Sequence, residues 1–192
     1  MSDPPPSLPL PGQVTLSEGQ NLVLVGYRGS GKSWLGRRVA AALERPFFDL
    51  DAEIEITQGR SISSIFEKDG EDVFRDLESG TLSGVLRRRG LVVSPGGGVV
   101  LRESNRALLQ RQCTVYLAVA ADALVERLRR SPGRPPLTEH PLEQEVLSNL
   151  AARQRYYREV SGLVLDVSGD ERPPRTLERL LALIGVPGKD GV

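Results

Sequence analysis

The chain has 192 residues, enough for one domain with a proper core. Its 25 basic and 25 acidic residues cancel, which excludes a global field drawing the protein to nucleic acid or to an anionic membrane. A single cysteine excludes a disulfide framework and a cysteine zinc site, and a single histidine leaves little room for a histidine triad or metal cluster.

Residues 1–20 are rich in proline and polar residues and read as a flexible extension. A single folded domain is expected over 21–186, followed by a loose tail over 187–192. No run approaches the ~18 apolar residues of a transmembrane helix. The N-terminus has no charged segment followed by an apolar one, so a cytoplasmic protein is expected.

The first predicted strand, 22–25, runs into Gly26-Tyr27-Arg28-Gly29-Ser30-Gly31-Lys32-Ser33. This stretch fits G-x-x-x-x-G-K-[ST], the phosphate-binding P-loop. Glycines let the backbone fold into a nest of N–H groups, and the helix predicted at 32–43 adds its positive end. Lys32 supplies a mobile charge for phosphates, and Ser33 a hydroxyl for Mg²⁺. A chance glycine-rich turn is the alternative; the strand before the motif and the helix after it speak against it.

The second predicted strand, 46–49, ends in Asp49-Leu50-Asp51. Helix capping by Asp51 is the bland reading. It accounts for one aspartate; the functional reading gives Asp49 to the Mg²⁺–water shell and Asp51 to a substrate hydroxyl. Helices are predicted at 52–58, 62–68 and 72–89. On the last, Arg75 and Glu78 stand at i and i+3, either a surface ion pair or a carboxylate-reading arginine with its support. Arg87, Arg88 and Arg89 suit the end of that helix.

A third strand, 91–94, runs into Ser94-Pro95-Gly96-Gly97-Gly98, a second place for close backbone approach. Beyond it come a helix at 103–110, a strand at 114–118 beside Cys113 (a buried strand thiol) and a helix at 121–130. Ser131-Pro132-Gly133-Arg134-Pro135-Pro136-Leu137 is too rich in proline and glycine to be helical. A helix at 142–158 carries Arg153, Arg155 and Arg158 with Tyr156 and Tyr157, then a strand at 163–167 and a helix at 175–184 follow. The alternation argues for a parallel sheet with helices on both faces, and ligands then gather at the carboxyl ends of the strands. The P-loop, the two aspartates, the glycine triplet and the arginine loop all fall at such ends.

GYRGSGKS, FFDLDAEIE, QGRSISSIFEKDGEDVFRDLE, SPGGGVV, GRPPL and RQRYYREV, in that order and spacing, resemble shikimate kinase over about residues 21–184. The resemblance implies a P-loop NTPase-type α/β fold: a five-stranded parallel sheet of order 2-3-1-4-5 sandwiched by helices, with a mobile lid at about 131–140. It implies ATP-dependent phosphorylation of the 3-hydroxyl of shikimate, with Mg²⁺ as cofactor. Expected partners are ATP and shikimate, with no nucleic acid and no membrane, and the protein is expected to be a monomer. Lys32, Asp51 and Arg134 match the catalytic residues. Gly29, Ser30, Gly31, Lys32, Ser33, Trp34 and Arg134 match the ATP side. Asp51 matches the aspartate on the ring hydroxyls, and Arg75 and Arg153 the pair on the carboxylate. Gly96, Gly97 and Gly98 match the backbone beside the ring, Glu78 the support of Arg75, and Ser33 and Asp49 the Mg²⁺ side.

The chain departs from the family in three places. Trp34 stands where threonine is usual, and is expected to pack under the loop. Pro136 adds a second proline after Arg134. The segment from Asp166 to Pro173 matches the adenine-side loop only loosely, leaving Arg130 and Arg172 as adenine candidates. A gluconate-type sugar-acid kinase shares the P-loop but does not account for Arg75, the glycine triplet and Arg153 together. A catalytically silent binding relative is the other alternative.

Overall fold

The computed structural model describes residues 15–130, 141–169 and 173–186. Five strands form one parallel sheet: β1 (Leu22–Val25), β2 (Phe47–Asp49), β3 (Val92–Ser94), β4 (Cys113–Ala118) and β5 (Leu163–Asp166), in the order β2-β3-β1-β4-β5. Eight α-helices connect them among the described residues: α1 (Lys32–Ala42), α2 (Leu50–Gln58), α3 (Ile62–Asp69), α4 (Glu71–Leu86), α5 (Glu103–Leu109), α6 (Ala121–Arg129), α7 (Leu142–Val160) and α8 (Pro173–Leu183).

β1 is buried on both faces, as a central parallel strand must be. Leu22 and Leu24 join the core beneath α1, α6 and α8, with Leu35, Val39, Leu124 and Leu180. Val23 and Val25 point the other way, into a second core with Ile54, Phe74, Leu82 and Tyr157. The period-2 alternation thus divides one apolar strand between two layers. β5 is an edge strand whose side chains alternate between faces, Leu163 and Leu165 buried and Val164 exposed.

Residues 15–20, read as part of the extension, lie against the folded body. Leu16 is buried, and its amide donates to the Ile184 carbonyl at 2.9 Å. Arg45 donates to the Gln20 and Ser17 carbonyls. The folded body therefore includes residues that precede the composition shift, because a lone leucine among polar residues leaves no periodic signal.

Parallel register puts the carboxyl ends of β1, β2 and β3 side by side, with Asp49 opposite Ser94. The P-loop leaves β1 at this edge, and the glycine triplet leaves β3 beside it.

Candidate active site

The P-loop turns through two left-handed glycines, Gly29 (φ 81°) and Gly31 (φ 91°), conformations that a side chain disfavours. Lys32 is buried at the start of α1, with Nζ donating to the carbonyls of Gly26 (2.8 Å) and Tyr27 (3.0 Å). Its ammonium is thereby held over the nest that the loop forms. Ser30 is buried within the loop.

Ser33 Oγ lies 3.3 Å from Ser94 Oγ, and Ser94 pairs in register with Asp49. These are hard oxygen donors of the kind Mg²⁺ takes, few enough to leave its other positions to water and phosphate. The set therefore fits the expected ion. Ser94 was not expected there from the sequence. Asp49 has a second role: its carboxylate caps α2, accepting from the Ala52 amide at 3.4 Å. The capping role expected of Asp51 thus falls to Asp49, because the helix begins at Leu50, inside which Asp51 occupies the first turn.

Asp51 is turned inwards. Its Oδ1 is buried without a hydrogen-bond partner in the protein, as is Oε1 of Glu78. Both atoms face Gly96, where a Cβ would fall 2.7 Å from Asp51 Oδ1 and 3.1 Å from Glu78 Oε1. Burial pushes the Asp51 carboxyl above the usual carboxylate range, while Lys32 and Arg75 pull it back. Glu78 is raised by burial in the same way, with Arg75 and Arg153 opposing.

Arg75 is no surface residue. Its Nη1 donates to Glu78 Oε2 at 2.6 Å, and its Nε and Nη2 donate to Glu71 Oε1 at 3.2 and 3.1 Å. The Glu78 side chain has no exposure and that of Arg75 only 11%. A Cβ on Gly98 would collide with the Arg75 guanidinium, and one on Gly97 would sit 3.1 Å from the Arg28 amide nitrogen. None of the three glycines has a positive φ. Each is required for closeness: Gly96 to the two carboxylates, Gly97 to the P-loop backbone, and Gly98 to Arg75.

Arg153, on α7, is held by Asn149 Oδ1 at 3.3 Å, and its guanidinium lies 6.0 Å from the Tyr27 ring centre. Arg75 and Arg153 both act on Glu78, so the two expected carboxylate readers share one locality. One turn further along α7, the Tyr157 hydroxyl donates to the Gly97 carbonyl at 2.5 Å. Arg155 and Arg158 are exposed.

Arg28 in the P-loop donates to Glu145 of α7 at 2.5 Å, and the Glu145 side chain has no exposure. No sequence signal pointed to this bond, since its partners lie 117 positions apart. Cys113 is buried in β4, its thiol pushed up to about 11 by burial, an inert core group.

A cavity of about 240 Å³ opens beside the loop, lined by Gly29, Ser30, Gly31, Trp34, Arg127 and Thr176 among others. Trp34 does not pack under the loop; it is 36% exposed, with the Arg38 guanidinium 3.8 Å from its ring centre. Arg130 is turned to solvent, its side chain 80% exposed beside Glu126. Arg127 borders the cavity instead, its Nη2 donating to the Val167 carbonyl at 2.5 Å. Arg134, Arg172 and the expected lid lie outside the described residues.

A family model described as shikimate kinase matches residues 28–183. A shikimate kinase of Stenotrophomonas maltophilia (strain K279a) is 45% identical over 153 residues, which is 79% of this chain and 84% of that one. The structure of a shikimate kinase from Acinetobacter baumannii in complex with shikimate superposes with a TM-score of 0.80 at 34% identity, covering 86% of this chain and 93% of the other. A gluconokinase from Sinorhizobium meliloti 1021 covers 87% of this chain and 92% of its own at 21% identity and a TM-score of 0.57, a likeness of fold alone.

Proposed function

The chain belongs to the shikimate kinase family and transfers a phosphoryl group from ATP to the 3-hydroxyl of shikimate, and we propose that its residues divide this work as follows. Lys32, with Arg134, brackets the transferring phosphoryl and neutralises charge that spreads over its oxygens. The amides of Gly29, Ser30 and Gly31 hold the phosphate chain at the N-terminus of α1. Asp51 accepts the hydrogen bond of the attacking hydroxyl, orients it and takes its proton as the bond to phosphorus forms. Arg75 and Arg153 read the acceptor's carboxylate, which fixes the ring against Gly97. Glu78 keeps the Arg75 fork in its productive rotamer.

Ser33, and Asp49 through water, would hold Mg²⁺, which when bound would neutralise phosphate charge. The Ser94 hydroxyl belongs to the same donor set. The same reading takes 21–186 as one kinase domain, with its lid at about 131–140. It takes the protein as a cytoplasmic monomer without nucleic-acid or membrane partners. Zero formal charge supports the absence of a nucleic-acid or anionic-membrane partner, and among the described residues no helix is long and apolar enough to cross a membrane.

The observation that carries the assignment is the position of Asp51. Its carboxyl feels both Lys32 and Arg75, so it stands between the phosphate half and the carboxylate half of the site. An assay coupling ADP release to shikimate, run beside gluconate, tests the reading. Turnover of shikimate alone is expected; turnover of gluconate without shikimate would overturn it. Binding of both ATP and shikimate without transfer at saturating Mg²⁺ would favour a silent relative.

A further inference from the structure

The resemblance puts Trp34 on the ATP side, but the division of work above gives its side chain no task. Trp34 is the third residue of α1, directly after Lys32 and Ser33. It is a large apolar group, 36% exposed, on a helix whose larger aliphatic residues, Leu35 and Val39, are buried. A tryptophan on a helix start ordinarily packs into the body or is avoided; here it borders the cavity beside the P-loop.

The surroundings are those of a flat ligand. Arg38, one turn along, places its guanidinium 3.8 Å from the indole centre and donates to the Trp34 carbonyl at 3.4 Å. A cation thus covers the ring, and Trp34 itself borders the cavity. From α6, Arg127 borders the same cavity with its guanidinium pinned to the Val167 carbonyl. Thr176 of α8 completes a wall with one hydroxyl. At about 240 Å³ the space is smaller than the ~300 Å³ lower end for pockets that hold a whole drug-sized ligand. It has room for one end of a nucleotide whose phosphates lie on Gly29, Ser30 and Gly31, which line it too.

We propose that Trp34 is the nucleobase platform of this enzyme, stacking the base of the nucleoside triphosphate and favouring purines over pyrimidines through the larger two-ring overlap. The inference rests on ATP phosphates occupying the P-loop. It adds the residue that selects the base. Threonine, usual at this position in the family, offers no such surface, so the selectivity belongs to this chain.

Trp34 is the only tryptophan, so intrinsic emission reports this position directly. ADP should change the emission saturably, whereas inorganic tripolyphosphate should compete with ATP in turnover and leave the emission unaltered. In Trp34→Thr, KM for ATP should rise about tenfold, as expected for losing one stacked base. The preference for ATP over CTP in kcat/KM should fall towards unity while KM for shikimate holds. Trp34→Phe should retain most of the preference. Competition by tripolyphosphate together with an unchanged ATP-over-CTP preference in Trp34→Thr overturns the platform alone. Failure of tripolyphosphate to compete, with no ATP turnover, overturns the P-loop reading and the platform with it. Thermal melting of Trp34→Thr separates either result from misfolding.

Discussion

Arg75 and Glu78, one turn apart on α4, form a 2.6 Å ion pair whose carboxylate side chain is wholly out of water. Such a pair is poor evidence of stabilisation, because desolvation consumes much of the attraction. Its value lies in position. Glu71 grips the other side of the same guanidinium, so the fork is fixed before any ligand arrives. Arg75→Ala should weaken shikimate binding by about 2–3 kcal/mol, the range of a charged hydrogen-bonded pair. Arg75→Lys should lose most of the same affinity, since an ammonium cannot fork. Steady-state KM for shikimate checks both, and an unchanged KM sinks the assignment.

Lys32→Ala should act on a different parameter. Because the ammonium meets charge that develops during transfer, kcat should fall about 100-fold or more. KM for shikimate should stay near its wild-type value. A loss confined to KM would place Lys32 in ground-state binding only.

The glycine triplet allows two neighbouring substitutions with separable outcomes. Gly98→Ala drives a methyl into the Arg75 guanidinium and should raise KM for shikimate. Gly96→Ala places its methyl 2.7 Å from Asp51 Oδ1 and should lower kcat. Identical kinetic profiles for the two variants would mean that the turn moves as a whole.

The acid limb of shikimate kcat/KM should lie above the range of an ordinary carboxylate. Glu78 and Asp51 are both raised by burial, and Asp51 raises Glu78 further, so the limb belongs to the pair. For stability the sign follows from the raised folded value. The contribution of Glu78 is fully present below its ordinary value and is lost as pH rises through the folded one. Glu78→Gln stays neutral throughout, so its Tm relative to wild type should improve as pH rises from below the ordinary carboxylate value through the raised folded one. A Tm difference that is flat with pH would show that Glu78 titrates normally.

Glu145→Ala should destabilise the fold by about 3–5 kcal/mol, because it leaves the Arg28 guanidinium in a largely buried place without its carboxylate. Denaturant unfolding measures this, and a change below about 1 kcal/mol would mean that Arg28 finds solvent.

The layered fold was legible from alternating periods alone, since β1 reads as continuous apolar sequence and α1 as an amphipathic one. The strand order was not, and came with the resemblance, because pairing of parallel strands leaves no local mark. Residue types at the site were legible where they sat at strand ends, as with Asp51 and the glycine triplet. What each glycine faces was not legible: closeness to Arg75 or Asp51 is a property of packing. The choice between Arg127 and Arg130 was open to a helical wheel. Leu124, Val125 and Leu128 are the buried residues of α6, Arg127 flanks that stripe, and Arg130 falls opposite it. The Arg28–Glu145 and Tyr157–Gly97 bonds are long-range and invisible to any window.

Those two bonds have an outcome for evolvability. The P-loop, the Gly97 turn and α7 are tied to one another at Arg28–Glu145 and Tyr157–Gly97, with Gly97 close against the P-loop backbone. Rotating α7 to suit a different acceptor would therefore drag the triphosphate cradle with it. α4 carries no such tether to the P-loop among these bonds. A lineage or a designer seeking a new acceptor would retune position 75 and its neighbours on α4, and leave α7 as the fixed reference against which both substrates are aligned.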